Sequence, residues 1–153
     1  MKKILYSIIL IVFIIILSFL SLKERKNISL GNFYKLPDVI SNNSGCIYFN
    51  SKEDMENNKK YLGADDFAST FFLMINGKIV RFLSNNLKEK NAIYISDFNK
   101  YLLEITVINT ISKNTENVNG KFYEYFEIYG NIKVTDIQNK NSTTKDFVGY
   151  CSW

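Results

Sequence analysis

Asn76-Gly77 lies between two runs rich in apolar and aromatic residues, 69–75 and 78–83. A two-residue type I′ turn needs positive φ at both central positions, which Asn and Gly adopt at little cost. The pair therefore commits the middle of the chain to an antiparallel hairpin. Further strand candidates surround it: residues 46–49, 60–64, 92–95, 101–109, 122–129, 131–137 and 145–151. Leu103, Ile105 and Val107 alternate with Glu104 and Thr106, and Ile132 and Val134 alternate with Lys133 and Thr135. That period of two gives one buried and one solvated face. Phe71, Phe72 and Leu73 are apolar on both faces, which marks a central strand.

Residues 84–91 and 112–120 are polar and read as loops, and Gly130 reads as a bulge or bend between two strands. Ser51-Lys52-Glu53-Asp54 resembles a helix cap, so one helical turn is expected before Lys60. Eight or nine short strands with turn signals between them define the fold class as all-β. The expectation is a small antiparallel barrel or sandwich of about eight strands over residues 44–153.

Residues 1–26 are a different kind of segment. Lys2 and Lys3 precede a 19-residue apolar run from Ile4 to Leu22, with Ile9 and Ile15 inside it, and Lys23-Glu24-Arg25-Lys26 follows. The run approaches the roughly 20 residues that cross a bilayer as a helix. It exceeds the roughly 7–15 apolar residues of a cleaved signal, and no Ala-x-Ala-like site follows. The reading is an uncleaved signal-anchor, with a cleaved signal peptide as the alternative. Lys and Arg nearly balance at its two ends, so they do not set its orientation.

Cys46 and Cys151 do. Two cysteines near the ends of an exported domain read as one disulfide, which places the domain on the oxidising side of the membrane. The other reading is a pair of buried thiols in a cytoplasmic protein. Residues 27–43 are expected to form a linker with a reach of roughly 25 Å if flexible. Phe33-Tyr34 and Val39-Ile40 are the positions by which it would dock on the domain.

Charge and composition narrow the function. Residues 1–26 hold five Lys/Arg and one Glu, while the remaining 127 hold 14 Lys/Arg and 14 Asp/Glu. The net +4 therefore belongs to the membrane flanks, and the domain lacks the basic footprint of a nucleic-acid binder. With no His, Ser-His-Asp and Cys-His relays are impossible, and the usual zinc sites lose their His ligands. Asp65-Asp66 reads as a solvated turn, since strand neighbours point to opposite faces and do not pair as acid and base. Asp97-Phe98-Asn99 lacks the further carboxylates of a calcium loop and also reads as a turn. No motif marks a Ser-Lys dyad, and no single tyrosine stands out as a haem ligand. The expectation is no enzyme, no cofactor and no metal.

Tyr123, Tyr125 and Tyr129 share one side of a strand, with Phe122, Phe126 and Ile128 on the other. If the Phe side is core, the Tyr row is a possible partner surface, because Tyr offers large contact area at low entropic cost. Packing beneath a loop or the linker is the plainer reading of the same row.

The order of an export segment, an early Cys, Ile75-Asn76-Gly77-Lys78, Tyr129-Gly130 and Gly149-Tyr150-Cys151 resembles short exported bacterial β-barrel proteins of unknown function. More loosely, the layout is similar to periplasmic inhibitors of C-type lysozyme, eight-stranded barrels with a disulfide and a Ser-Gly-rich loop leading to a Tyr. The comparable stretch here runs from Ser84 to Lys88 and on to Tyr94, without the Gly, and no inhibitory residues carry over. The resulting expectation is a non-enzymatic binding module tethered to a bacterial cell membrane outside the cytoplasm. It would bind a protein partner in the envelope, in an inhibitor- or immunity-like role. The alternatives are a carrier of a small apolar ligand inside a barrel, and a periplasmic or secreted protein released by cleavage.

Overall fold

The computed structural model describes residues 11–13, 27–41, 45–67, 69–88, 91–116 and 122–152. These include nine strands: β1 (Leu30–Gly31), β2 (Gly45–Phe49), β3 (Tyr61–Asp65), β4 (Thr70–Ile75), β5 (Lys78–Lys88), β6 (Asn91–Ser96), β7 (Tyr101–Glu116), β8 (Phe122–Asp136) and β9 (Ser142–Ser152). The order β4-β3-β2-β9-β8-β7-β6-β5 is closed by pairing of β5 with β4. The result is an eight-stranded antiparallel barrel rather than a sandwich, and closure removes the free edges of an open sheet.

The closing seam is the Asn76-Gly77 hairpin, with φ of 51° and 77° at its two central residues. Ser51 caps a single turn of helix, Lys52–Glu56, by accepting the Asp54 N–H at 3.1 Å.

Alternation fills the barrel from all sides. Leu62, Phe71, Leu73, Phe82, Leu103, Ile132 and Val134 are completely or almost completely buried in one cluster. A second cluster lies outside the wall. There Phe33, Ile40, Phe49, Tyr61, Ala64 and Val148 pack together, joined by Phe72, Met74, Tyr129 and Tyr150. The segment read as a linker thus lies on the barrel through Phe33 and Ile40, while Tyr34 is exposed. β1 pairs with Ile75 and Met74, beyond the point where β3 leaves β4, and Phe33 bridges Tyr61.

Three local expectations are corrected. β5 continues to Lys88 and β7 to Glu116, so most of residues 84–91 and 112–120 is strand rather than loop. Ser84, Asn86, Leu87 and Lys88 pair with Tyr94, Ile93, Ala92 and Asn91, and backbone pairing needs no apolar side chains. β8 is one strand of 15 residues, not two joined at Gly130. The bulge sits on its partner, between Val107 and Asn109 of β7. Gly130 meets that bulge at close quarters, since a Cβ there would collide with the Thr106 carbonyl oxygen.

The register gives the barrel two ends. At one end are Asn27–Ser29, the Asn76-Gly77 tip and the turns at 97–100 and 137–141. At the other are the 66–69 turn, the start of β2, the end of β9 and the disulfide between them. The β7–β8 hairpin runs past the last partners of β6 and β9, which are Thr106 and Tyr125, and forms an arm at this second end.

Candidate functional site

Cys46 and Cys151 face each other directly across β2 and β9, with Cα atoms 4.0 Å apart, and are joined as a buried disulfide. Such a close approach is that of a non-hydrogen-bonded antiparallel pair, in which the amides of the two residues turn away from each other. The Cys46 amide therefore points away from β9. It donates to Asp65 Oδ1 at 3.2 Å. The same oxygen accepts the Phe67 N–H at 3.0 Å, and Asp65 Oδ2 accepts the Tyr48 hydroxyl at 2.6 Å.

Asp65 is only 5% exposed, so the solvated-turn reading of this residue is wrong. Loss of solvent pushes its carboxyl above the ordinary range, and the three hydrogen bonds oppose that shift only in part. Burial, with the Asp65 charge second, pushes the Tyr48 phenol well up. Burial also raises Tyr94, to which Asp65 and then Asp66 add. Phe71 lies between the two tyrosine rings, at centroid distances of 5.1 and 5.7 Å. Asp66 does shape the turn, accepting the Ser69 and Thr70 amides at 2.9 and 2.8 Å.

This buried acid is positioned as a hydrogen-bond hub for the barrel wall. The Tyr48 ring, itself packed on Phe71, lies beside it. Among the described residues no three or more His, Cys, Asp or Glu gather as a metal-binding group. Asp97 pairs with Arg81 at 2.9 Å, and Ser96 Oγ accepts the Lys100 and Tyr101 amides, so residues 96–101 form a braced turn.

Of the tyrosine row, Tyr125 and Tyr129 lie on the outer face of β8, and the Tyr123 side chain lies outside the described residues. Ile128 points into the barrel and Phe126 packs against its core, which leaves Tyr125, Glu127 and Tyr129 outside. Tyr129 is half-buried against the outer cluster and donates its hydroxyl to Glu127 Oε2 at 3.0 Å. That bond, followed by burial and the Glu127 charge, raises the Tyr129 phenol. Glu127 pairs with Ile111 on β7 and with Tyr150 on β9, and Lys113 Nζ stands 4.0 Å from its Oε1. Tyr123 pairs with Thr115 near the tip.

Two exposed apolar residues of the arm were missed in the sequence. Ile108 is 72% exposed and Ile111 is 39% exposed. The bulge after Val107 shifts the strand phase, so Ile111, which the inward alternation of Leu103, Ile105 and Val107 would turn to the core, faces out opposite Glu127. The available signal was the consecutive pair Val107-Ile108 inside an otherwise alternating strand.

Ile4, Ile9, Ile15 and Leu22, the proposed membrane core, lie outside the described residues. Ile11, Val12 and Phe13 are helical and exposed. Among the described residues no helix is long and apolar enough to cross a membrane. Tyr94, the tyrosine reached from Ser84–Lys88 in the lysozyme-inhibitor comparison, points into the barrel and is buried. No family model, curated protein or solved structure matches the chain.

Proposed function

We propose that this chain is a non-enzymatic binding module, held at a bacterial cell membrane by Ile4–Leu22 with its barrel outside the cytoplasm. It docks a protein partner through the outer face of the β7–β8 arm, in an inhibitor- or immunity-like role. The observation that carries this reading is the exposure of Ile108 and Ile111 beside Tyr125 and Tyr129 on a hairpin that projects past its neighbours. Aromatic side chains are enriched at interface centres, where charged ones are depleted, and here Glu127 is already covered at 7% exposure. Among the described residues β6 pairs with β7 only as far as Thr106, and the β7 backbone beyond it offers groups that a partner strand can pair with.

The arm and the disulfide share the end of the barrel remote from residue 27. A tether entering at the opposite end therefore presents the arm outward. The alternative of an apolar-ligand carrier needs interior space, and here large side chains occupy the inside of the barrel. Release by cleavage after the apolar run would leave the same binding face on a periplasmic or secreted protein.

The test is a photo-crosslinking amino acid placed at Ile111 or Tyr125 of the full chain in its host. Thr144, exposed on β9 near the other end, is the control position. A discrete protein adduct from 111 and 125, absent from 144, is the expected result. No protein adduct from either position, with a lipid or other small apolar molecule retained in native mass spectrometry, would overturn the proposal.

A further inference from the structure

We infer that the barrel end carrying Phe98, Ile79, Lys78 and Lys100 rests on the anionic headgroup surface of the bilayer from which the chain emerges. The inference depends on the tethered reading above.

Chain length supplies the first argument. Leu22 ends the apolar run and Asn27 is already at the barrel, so the intervening residues span at most about 18 Å even when fully extended. The entry point is pinned. Ile28 is buried in the barrel core, the Ser29 amide donates to Asn76 Oδ1 at 2.9 Å, and the Asn76 amide donates to Ser29 O at 2.9 Å. A membrane anchor therefore holds the Asn76-Gly77 end against the bilayer.

The chemistry of that end supplies the second. Phe98 sits in the 97–100 turn and is 92% exposed, and Ile79 beside it is 50% exposed. The two line one groove with Lys78, Arg81, Asp97 and Lys100. An adjoining groove runs from Lys78 and Lys100 to Asn27, where the chain enters. A lone exposed Phe is ordinary on a soluble surface. An exposed Phe and Ile ringed by lysines, within reach of a membrane exit, match the composition of interfacial anchors.

Charge decides which flank leans inward. Asp97 is paired with Arg81, and the Asp136 charge is offset by Lys100, so Lys78 and the exposed Lys140 of the 137–141 turn leave this end net positive. Lys23, Arg25 and Lys26 add to them in the sequence. Each such cation is drawn to an anionic leaflet within a Debye length of its surface. The acidic residues Glu53, Asp54 and Glu56 lie on the helix that contacts β2 and β9, on the other flank. The barrel therefore tilts its β4–β7 side toward lipid and lifts the acidic helix away.

The test uses the full chain inserted in phosphatidylcholine vesicles, with or without phosphatidylglycerol. An environment-sensitive fluorophore is attached at Phe98→Cys or, separately, Ile79→Cys, under non-reducing conditions. Asn109→Cys on the arm is the reference. The expected result is a blue shift at 98 and 79 with quenching by spin-labelled lipid, stronger with phosphatidylglycerol, and no change at 109. Labels at 98 and 79 that stay as aqueous as the one at 109, in a chain retained by the vesicles, would overturn this inference and leave the tether standing. A chain that does not stay with the vesicles would overturn both.

Discussion

Replacing Asp65 is the sharpest perturbation of the barrel wall. Asp65→Ala leaves the Tyr48 hydroxyl and the Cys46 amide without their acceptor, and both belong to buried residues. Each stranded group costs about 1–3 kcal/mol, so the variant should lose about 2–6 kcal/mol. Against a typical stability of about 5–15 kcal/mol that is a large fraction. Asp65→Asn keeps the oxygen that accepts from Cys46 and Phe67 and turns an N–H toward the Tyr48 oxygen, which can accept. It should therefore lose far less than the Ala variant.

The pH dependence separates the two effects. Burial raises the folded carboxyl above its ordinary value of 3.8. The folded state then holds the proton more tightly than the unfolded chain, so this contribution is complete below pH 3.8 and is lost as pH rises through the folded value. Asp65→Asn has no proton to lose, and its stability relative to wild type should improve steadily over that rise. Urea unfolding of the three proteins with the disulfide intact, from about pH 4 to about pH 8, reads both effects against the ordinary carboxylate range. Equal losses in the Ala and Asn variants, or a wild-type-to-Asn difference that does not change with pH, would refute the reasoning.

Three further outcomes follow from the same structure. Asp136 is shifted the other way, because burial is outweighed by the amides of Asn139 and Gln138, the Asn139 side chain and Lys100. Its contribution is lost as pH falls through the folded value below 3.8, and Asp136→Asn should flatten that acid limb in urea titrations. Gly130→Ala forces a Cβ onto the Thr106 carbonyl and should cost about 1–3 kcal/mol, read as a lower urea midpoint. Removing the disulfide by Cys46→Ala with Cys151→Ala opens a closure across 105 residues and should lose up to about 4–5 kcal/mol by the chain-entropy account, measured against the oxidised parent.

Local chemistry carried much of this fold into the sequence. Asn76-Gly77 needs positive φ and supplies it, Ser51 has a hydroxyl where a helix start needs one, and Leu103, Ile105 and Val107 alternate on one wall. The inward Ile128 and outward Tyr129 were legible for the same reason. What failed depended on partners remote in the chain. Ser84–Lys88 and the distal half of β7 look like loops because they are polar, and the backbone ladder that makes them strands does not require apolar side chains. Asp65 looks solvated until Tyr48, 17 residues away, turns its hydroxyl inward. Gly130 announced an irregularity, but the extra residue is on the strand opposite. The arm's exposed Ile111 was hidden by that phase shift. Barrel and sandwich could not be told apart because alternation specifies a buried face and not which strand closes the sheet.

The central claim is a membrane-tethered barrel on the oxidising side of a bilayer. The most direct test is the intact mass of the protein from its native host, alkylated before and after reduction. The account predicts a full-length mass that takes up alkyl groups only after reduction, at Cys46 and Cys151. Thiols that alkylate without reduction would place the domain in the cytoplasm and contradict it.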